Sequence, residues 1–382
     1  MEPPISLGPR DPGRPPPDRL RPEPPLPPLP PGAASSRQSG TPLDRFDRPV
    51  RDLRISVTDR CNFRCVYCMP REIYGRDFAF LPRSELLSFE EIARIASTFV
   101  GLGVDKLRLT GGEPLVRRDL PRLVALLAAL ERPGGGPVDL TMTTNGAALA
   151  ALARPLADSG LGRVTVSLDA LDDATFRRMN DVDFPVGRVL EGIDAARAVG
   201  LGPIKVNAVV RRGLNEQEIV PLARWARDEG LIVRYIEYMD VGHSNGWRLD
   251  DVVPADEIVA TIDRELPLQP AAPNYRGEVA RRYRFADGSG EIGVIASVTA
   301  PFCGDCTRAR LSADGTLYTC LFSARGWDLR GRLRQGIDDD GLAAFVDRVW
   351  SNRDDRYSEL RTAATDERRH DPDRVEMFAM GG

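Results

Sequence analysis

Cys61, Cys65 and Cys68 fall inside the run Val57-Thr-Asp-Arg-Cys-Asn-Phe-Arg-Cys-Val-Tyr-Cys-Met-Pro70. Structural zinc sites and iron–sulfur cubanes usually take four protein ligands, so three thiols on one short loop leave a metal corner open to an exogenous group. An open corner is where chemistry can happen. At ~3.3–3.6 Å per residue, the loop is long enough to curl around a small inorganic core. Arg60 and Arg64 flank the thiols and are expected to lower their pKa values and offset a cluster's negative charge. The competing zinc reading needs a histidine, and the chain holds only His243 and His370, neither at ligand spacing from the triplet.

The remaining cysteines form a second triplet, Cys303, Cys306 and Cys320, again without a fourth ligand; a structural zinc knuckle is the plainer alternative there. Six cysteines in a secreted chain would suggest a disulfide framework, but a 382-residue chain with no secretory leader points to a reducing, cytoplasmic setting. There is no apolar run of about 18 residues, so no membrane span is expected. The net charge of −4 argues against a nucleic-acid surface, so an anionic ligand must be held by a local cluster of cations. Arg308 and Arg310 are candidates: two residues apart on an expected strand, they share a face and can make bidentate contacts to phosphate or base edges. A surface charge pair is the bland alternative.

These residues need a scaffold. Residues 1–45, rich in Pro, Gly, Arg and Ser, bury too little to offset their ordering entropy and are expected to be a disordered, partly polyproline II extension, with an SH3-like partner as the minor reading. From 46 to 245, short β-branched or aliphatic runs at 53–57, 106–110, 140–144, 163–168, 204–210 and 232–238 alternate with helical stretches such as 89–102, 119–130, 189–199 and 216–228. Ser88 with Glu91 reads as a capping box. Strand–helix alternation implies a parallel sheet with right-handed crossovers, an α/β open or closed barrel. Residues 246–352 form a second unit, with strands at 281–285, 291–297, 309–312 and 316–321 and a helix at 339–350; residues 353–382 are a polar tail ending in Gly381-Gly382.

One face of the first sheet is polar. Arg54, Ser56 and Thr58 alternate with Leu53, Ile55 and Val57; Arg108 and Thr110 with Leu107 and Leu109; Thr165, Ser167 and Asp169 with Val164, Val166 and Leu168; Lys205 and Asn207 with Ile204 and Val206; Glu237 and Met239 are expected to continue the scheme. Barrels normally fill their interior with branched apolar side chains. A polar lumen therefore implies an incomplete barrel with a hydrated or ligand-filled interior.

The CxxxCxxC spacing, coupled to Gly111-Gly-Glu-Pro114 after the second strand, resembles the radical S-adenosylmethionine (SAM) enzymes. With Thr143-Thr-Asn-Gly146, Val166-Ser-Leu-Asp169, Lys205-Val-Asn207, Ile236-Glu-Tyr-Met239, the second triplet and the terminal Gly-Gly, the chain from about Leu53 onward resembles the GTP 3',8-cyclase family of molybdenum cofactor biosynthesis. That resemblance implies an incomplete (β/α)6 TIM-like radical SAM barrel with a C-terminal α+β domain carrying a second cluster. It implies that Cys61, Cys65 and Cys68 hold a [4Fe-4S] cluster whose open iron binds SAM, with Tyr67, Gly112, Ser167 and Met239 lining the SAM pocket. Cys303, Cys306 and Cys320 would hold a second [4Fe-4S] cluster facing the guanine, while Arg54, Arg108, Thr143, Lys205, Arg308, Ala309 and Arg310 match GTP-contacting positions. Hydrogen abstraction from C3' of the GTP ribose and attack on C8 are implied as the reaction. An external electron donor and a next pathway enzyme follow as partners, for a monomer or homodimer. The other readings left by the residues are a radical SAM peptide-modifying enzyme and a cluster- or zinc-bearing protein without turnover.

Overall fold

The computed structural model describes residues 23–28, 40–361 and 374–381. Six parallel strands follow in chain order: β1 (Asp52–Ser56), β2 (Lys106–Thr110), β3 (Asp139–Thr144), β4 (Arg163–Ser167), β5 (Lys205–Val210) and β6 (Ile232–Glu237), each hydrogen-bonded to the next. The crossovers are α1 (Phe89–Gly101), α2 (Leu120–Ala128), α3 (Leu149–Asp158), the pair α4 (Asp173–Asn180) and α5 (Val186–Ala198), and α6 (Ile219–Asp228). Period-two alternation sends Leu53, Ile55, Leu107, Leu109, Met142, Val164, Val166, Val206 and Val233 into one dry layer beneath the helices. Each such side chain stabilises the fold by about 1.5–3 kcal/mol. Helix starts follow from caps: Ser88 accepts from Glu91 N at 3.1 Å while Glu91 Oε2 accepts from Ser88 N at 2.7 Å, and Asp172 caps α4.

The later strands continue this sheet at both edges. β9 (Glu291–Ile295) lies parallel to β6, followed outward by antiparallel β8 (Arg281–Phe285) and β7 (Leu268–Ala271). At the opposite edge β10 (Arg308–Leu311) lies parallel to β1, with Asp52 opposite Arg308 and Arg54 opposite Arg310. Antiparallel β11 (Thr316–Tyr318) and β12 (Trp327–Asp328) complete a twelve-stranded order. A hairpin through Ala313-Asp-Gly315 joins β10 to β11. The helix α7 (Ala255–Asp263) packs on β7 and β9 and α8 (Leu329–Arg334) on β11, while α9 (Asp339–Ser351) packs on α1; a short α10 (Met377–Met380) lies against β1.

Two expectations about the ends need correction. The structureless head does not extend through residue 45: the Asp44 carboxylate is buried and accepts from Arg48 Nε at 2.6 Å and Arg353 Nη1 at 2.8 Å. Glu23 to Pro28 also make defined contacts with the body of the protein. Likewise the boundary drawn at 353 falls on a residue built into the body of the protein. Arg353 is 4% exposed, donating from Nε to Thr319 O at 3.1 Å and from Nη1 to Cys306 O at 2.9 Å, because the chain around both cysteines offers carbonyls that need donors. Most of the proline-rich stretch, residues 362–373 and Gly382 lie outside the described residues.

Candidate active site

All six cysteines line one cavity at the C-terminal ends of the parallel strands. The loop after β1 carries Cys61, Cys65 and Cys68 and is gripped by the turn after β2: Gly112 N donates to Thr58 O and Glu113 N to Arg60 O, both at 2.8 Å. A Cβ on Gly112 would stand 2.4 Å from Arg60 O, so only glycine permits this approach. Asn145 Nδ2 lies 3.9 Å from Cys61 Sγ and 2.8 Å from Asn62 Oδ1. The Tyr67 hydroxyl donates to Asp169 Oδ2 at 2.9 Å. Glu113, wholly inside, accepts from Thr144 Oγ1, Asn145 N and Leu115 N, and burial still pushes its carboxyl up to about 7.

Burial likewise pushes the thiol of Cys61 up to about 12, with the Glu113 charge adding to it. Cys65 and Cys68 are raised in the same way, each also by neighbouring thiolates of the triplet. The expectation that Arg60 and Arg64 would lower these thiols is therefore corrected. Arg64 directs its guanidinium at the carbonyls of Tyr74, Cys61 and Phe63, and Arg60 donates to Leu81 O and lies over Phe80. Burial outweighs what remains of their field. None of the six cysteines forms a disulfide. Among the described residues no three thiol, imidazole or carboxyl side chains close on a point as around a single metal ion. The thiols of the first loop stand around a space and repel one another as thiolates, and three soft sulfurs so disposed suit a polynuclear iron–sulfur core.

Across the cavity the charge reverses. Arg54, Arg108, Arg234, Arg308 and Arg310 all line it. Arg108 Nη1 donates to Thr143 Oγ1 at 3.0 Å and to Thr165 Oγ1 at 3.4 Å; Arg234 reaches Asn207 Oδ1 at 3.0 Å and Thr165 Oγ1 at 3.3 Å. Burial holds Arg54 well below the ordinary guanidinium range, aided by repulsion from Arg310, and brings Arg234 down to about 9 and Arg310 to about 10. The Nε groups of Arg54 and Arg108 are buried without a hydrogen-bond partner. Unsatisfied, mutually repelling buried donors are costly unless a polyanion completes them.

The second triplet sits beside this band. Arg308 directs Nε and Nη2 at Cys306 Sγ, 3.4 and 3.2 Å away. Burial opposes ionisation of Cys306, but Arg308 and Arg353 overcome it and bring the thiol down to about 6. Arg310 Nη1 donates to Gly381 O, so the end of the chain enters the cavity with Met377 and Phe378 on its wall. A Cβ on Gly381 would lie 2.2 Å from Thr110 Cγ2. The segment before it is tied down by Asp240, which accepts from Tyr357 Oη and Arg361 Nη2 at 2.7 Å each, while Arg374 Nη1 donates to the Asp240 carbonyl at 2.9 Å. His243 Nδ1 lies 3.1 Å from Glu376 Oε1.

Of the residues singled out in the sequence, Tyr67, Gly112, Ser167, Met239, Arg54, Arg108, Thr143, Arg308 and Arg310 come together on this cavity with the cysteines. Three do not face it as expected. Lys205 opens β5 one pleat below Asn207, deeper toward the N-terminal ends of the strands, where burial lowers its amine to about 8. The Ala309 methyl points into the hydrophobic layer, as alternation with Arg308 and Arg310 demands. Glu237 faces away, accepting from the amides of Ala255, Val298 and Thr299; the lumen phase of β6 is instead Arg234 and Ile236. Arg234 was missed because both faces of that strand mix polar and apolar residues. Lys106, in phase with Arg108 on β2 but off the cavity wall, was not singled out; it pairs with Asp52 at 3.3 Å and burial lowers it to about 8.

Residues 55–226 match the family model of the Radical SAM superfamily, and residues 231–359 that of Molybdenum Cofactor Synthesis C. A GTP 3',8-cyclase of Acidothermus cellulolyticus is 60% identical over 343 residues, covering 89% of this chain and 94% of the relative. One from Staphylococcus carnosus is 48% identical over 323 residues, covering 84% and 94%. Among solved structures, Streptococcus suis SuiB bound to S-adenosylmethionine superposes with a TM-score of 0.52 at 16% identity, covering 79% of this chain and 69% of that one, which supports the fold. With both family models in register with the two cysteine triplets, this chain belongs to the radical SAM superfamily and, within it, to the GTP 3',8-cyclase family.

Proposed function

We propose that the chain converts GTP to (8S)-3',8-cyclo-7,8-dihydroguanosine 5'-triphosphate, with SAM leaving as methionine and 5'-deoxyadenosine, as the first step of molybdenum cofactor biosynthesis. The observation that carries this reading is one cavity lined by both cysteine triplets and by the guanidiniums of Arg54, Arg108, Arg234, Arg308 and Arg310. Cys61, Cys65 and Cys68 would hold one [4Fe-4S] cluster and Cys303, Cys306 and Cys320 the other; the chemistry supplied at the first, when loaded, is one-electron reductive cleavage of SAM.

What the protein's own residues contribute is placement and exclusion of water. Tyr67, Gly112, Ser167 and Met239 are assigned to the SAM side, where Asp169 fixes the Tyr67 ring. Arg54, Arg108, Arg234 and Arg310 are assigned to the phosphates, held ready by Thr143, Thr165 and Asn207. Thr143 acts through Arg108, Lys205 and Lys106 add positive charge from below, and Ala309 can contribute only its backbone. Arg308, shared between Cys306 and the lumen, would couple the second triplet to the nucleotide. An external low-potential electron donor supplies the reducing equivalents, the next pathway enzyme consumes the product, and the enzyme works in the cytoplasm as a monomer or homodimer; no helix among the described residues is long and apolar enough to cross a membrane.

The test is anaerobic reconstitution with iron and sulfide, followed by SAM, a reductant and GTP. We expect 5'-deoxyadenosine release that depends on GTP, together with the cyclised nucleotide. Release no faster with GTP than with ATP or CTP would sink the assignment.

A further inference from the structure

The proline-rich head has no role in the reaction above, yet a part of it is seated. Glu23 presents both carboxylate oxygens to Arg332, at 2.6 and 2.8 Å, and Oε1 also accepts from Asp328 N at 2.8 Å. Arg332 is itself held in place, donating to Asp328 O at 2.6 Å and lying over the Phe345 ring at 3.9 Å. Further along the segment, the carbonyls of Pro27 and Pro28 accept from Asn352 Nδ2 at 3.3 and 3.4 Å. Between these anchors Leu26 packs against the main hydrophobic core. A fixed fork, an apolar contact and a side-chain amide reading proline carbonyls are the parts by which a preformed polyproline II strand is recognised, because its carbonyls are already extended and lack internal partners.

We propose that the face formed by Asp328, Arg332, Phe345 and Asn352 is a binding site for an acidic-led proline segment, and that its occupant is this chain's own Glu23-Pro-Pro-Leu-Pro-Pro28. The segment acts as a strap. It joins the start of α8 to the end of α9, and the residue after Asn352 is Arg353, which holds the carbonyls of Thr319 and Cys306 beside the second triplet. Docking the head therefore stiffens the frame around Cys306 and Cys320 without entering the cavity.

The test compares hydrogen–deuterium exchange of residues 327–334 and 348–353 in the full chain and in full-length Glu23→Arg. Loss of an anchor worth one to two kcal/mol predicts exchange faster by about 5- to 30-fold in the variant. A chain lacking residues 2–31 should show the same loss, reversed by a synthetic peptide of residues 21–31 at about 1 mM, the concentration that tethering supplies. Unchanged exchange in Glu23→Arg, or failure of the peptide to protect, would each overturn the proposal. Protection in the full chain that falls on dilution would overturn the intramolecular occupant, since it would assign the seat to a second copy's head.

Discussion

The two ends of the cavity are built from the same ligand, cysteine, in opposite electrostatic settings. Around Cys61, Cys65 and Cys68 burial pushes the thiols upward, the carboxylates of Glu113, Asp169 and Glu376 add to it, and Arg64 offsets only part of the effect at Cys61. Around Cys306 the neighbours are Arg308 and Arg353, which bring its thiol down to about 6, although Cys320 is pushed up to about 12 by burial and then Asp355. The difference matches the ligands proposed for each end. SAM carries a sulfonium and an ammonium, which an acidic rim favours; GTP carries a triphosphate, which a guanidinium band favours. One cavity can thus sort two nucleoside-containing molecules by charge before any base is read.

The largest effects should come from exchanging one end's function for nothing. Cys61→Ala should abolish 5'-deoxyadenosine formation and remove half the bound iron. Cys306→Ala should also halve the iron, but the slow SAM cleavage driven by an artificial reductant without GTP should survive while GTP stimulation and cyclised product are lost; loss of that basal cleavage in both variants would erase the distinction between the ends. Next, Arg310→Ala removes a buried charge-assisted contact worth about 1.5–3 kcal/mol, so kcat/KM for GTP should fall about 10- to 150-fold with SAM affinity unchanged. Arg308→Ala should weaken GTP turnover and leave the first cluster's spectrum intact, while changing that of the second because its partner is the Cys306 sulfur. A change at the first cluster in either arginine variant would count against the division.

Asp240 lies outside both ends yet serves them together. Asp240→Asn keeps the shape but weakens the charge-assisted bonds to Arg361 and Tyr357, and a loss near 1.5 kcal/mol corresponds to about tenfold in turnover. Faster hydrogen exchange in residues 374–381 should accompany it, with iron content unchanged. The smallest effect is pH. Lys106 and Lys205 have amines lowered to about 8 by burial, so they are charged below that pH and lose their protons above it. GTP affinity should therefore decline as pH rises through about 8, and Lys205→Arg should flatten the decline; an identical profile in the variant would remove Lys205 from the binding set.

Much of the scaffold was legible because alternation is a strong signal. The bounds read for β2 and β8 coincide with the observed strands, and the Ser88–Glu91 capping box fixes the start of α1. The cysteines, glycines and paired arginines were legible because their chemistry depends on type and spacing. What escaped were properties of the assembled molecule. The phase of β6, hence Arg234 over Glu237, is decided by the Asn207–Arg234 register rather than by local composition. Arg60 and Arg64 looked like electrostatic helpers, yet nearby carbonyls claimed them once the loop had closed. The buried trio Asp44, Arg48 and Arg353 joins residues some three hundred positions apart, and no local pattern announces such a contact.

The pairing of β10 with β1 has a consequence for how the molecule is made. Asp52 meets Arg308 across that seam, so the outer edge of the first strand has no partner until the ribosome has delivered most of the chain. Long-range pairings of this kind close late, whereas the β1-to-β6 units assemble from near neighbours. During that interval the loop holding Cys61, Cys65 and Cys68 faces an unroofed sheet. Closing the β10 seam is therefore the step that sets Arg308 and Arg310 beside Asp52 and Arg54, and the guanidinium lining is complete only when chain regions more than 250 residues apart have met.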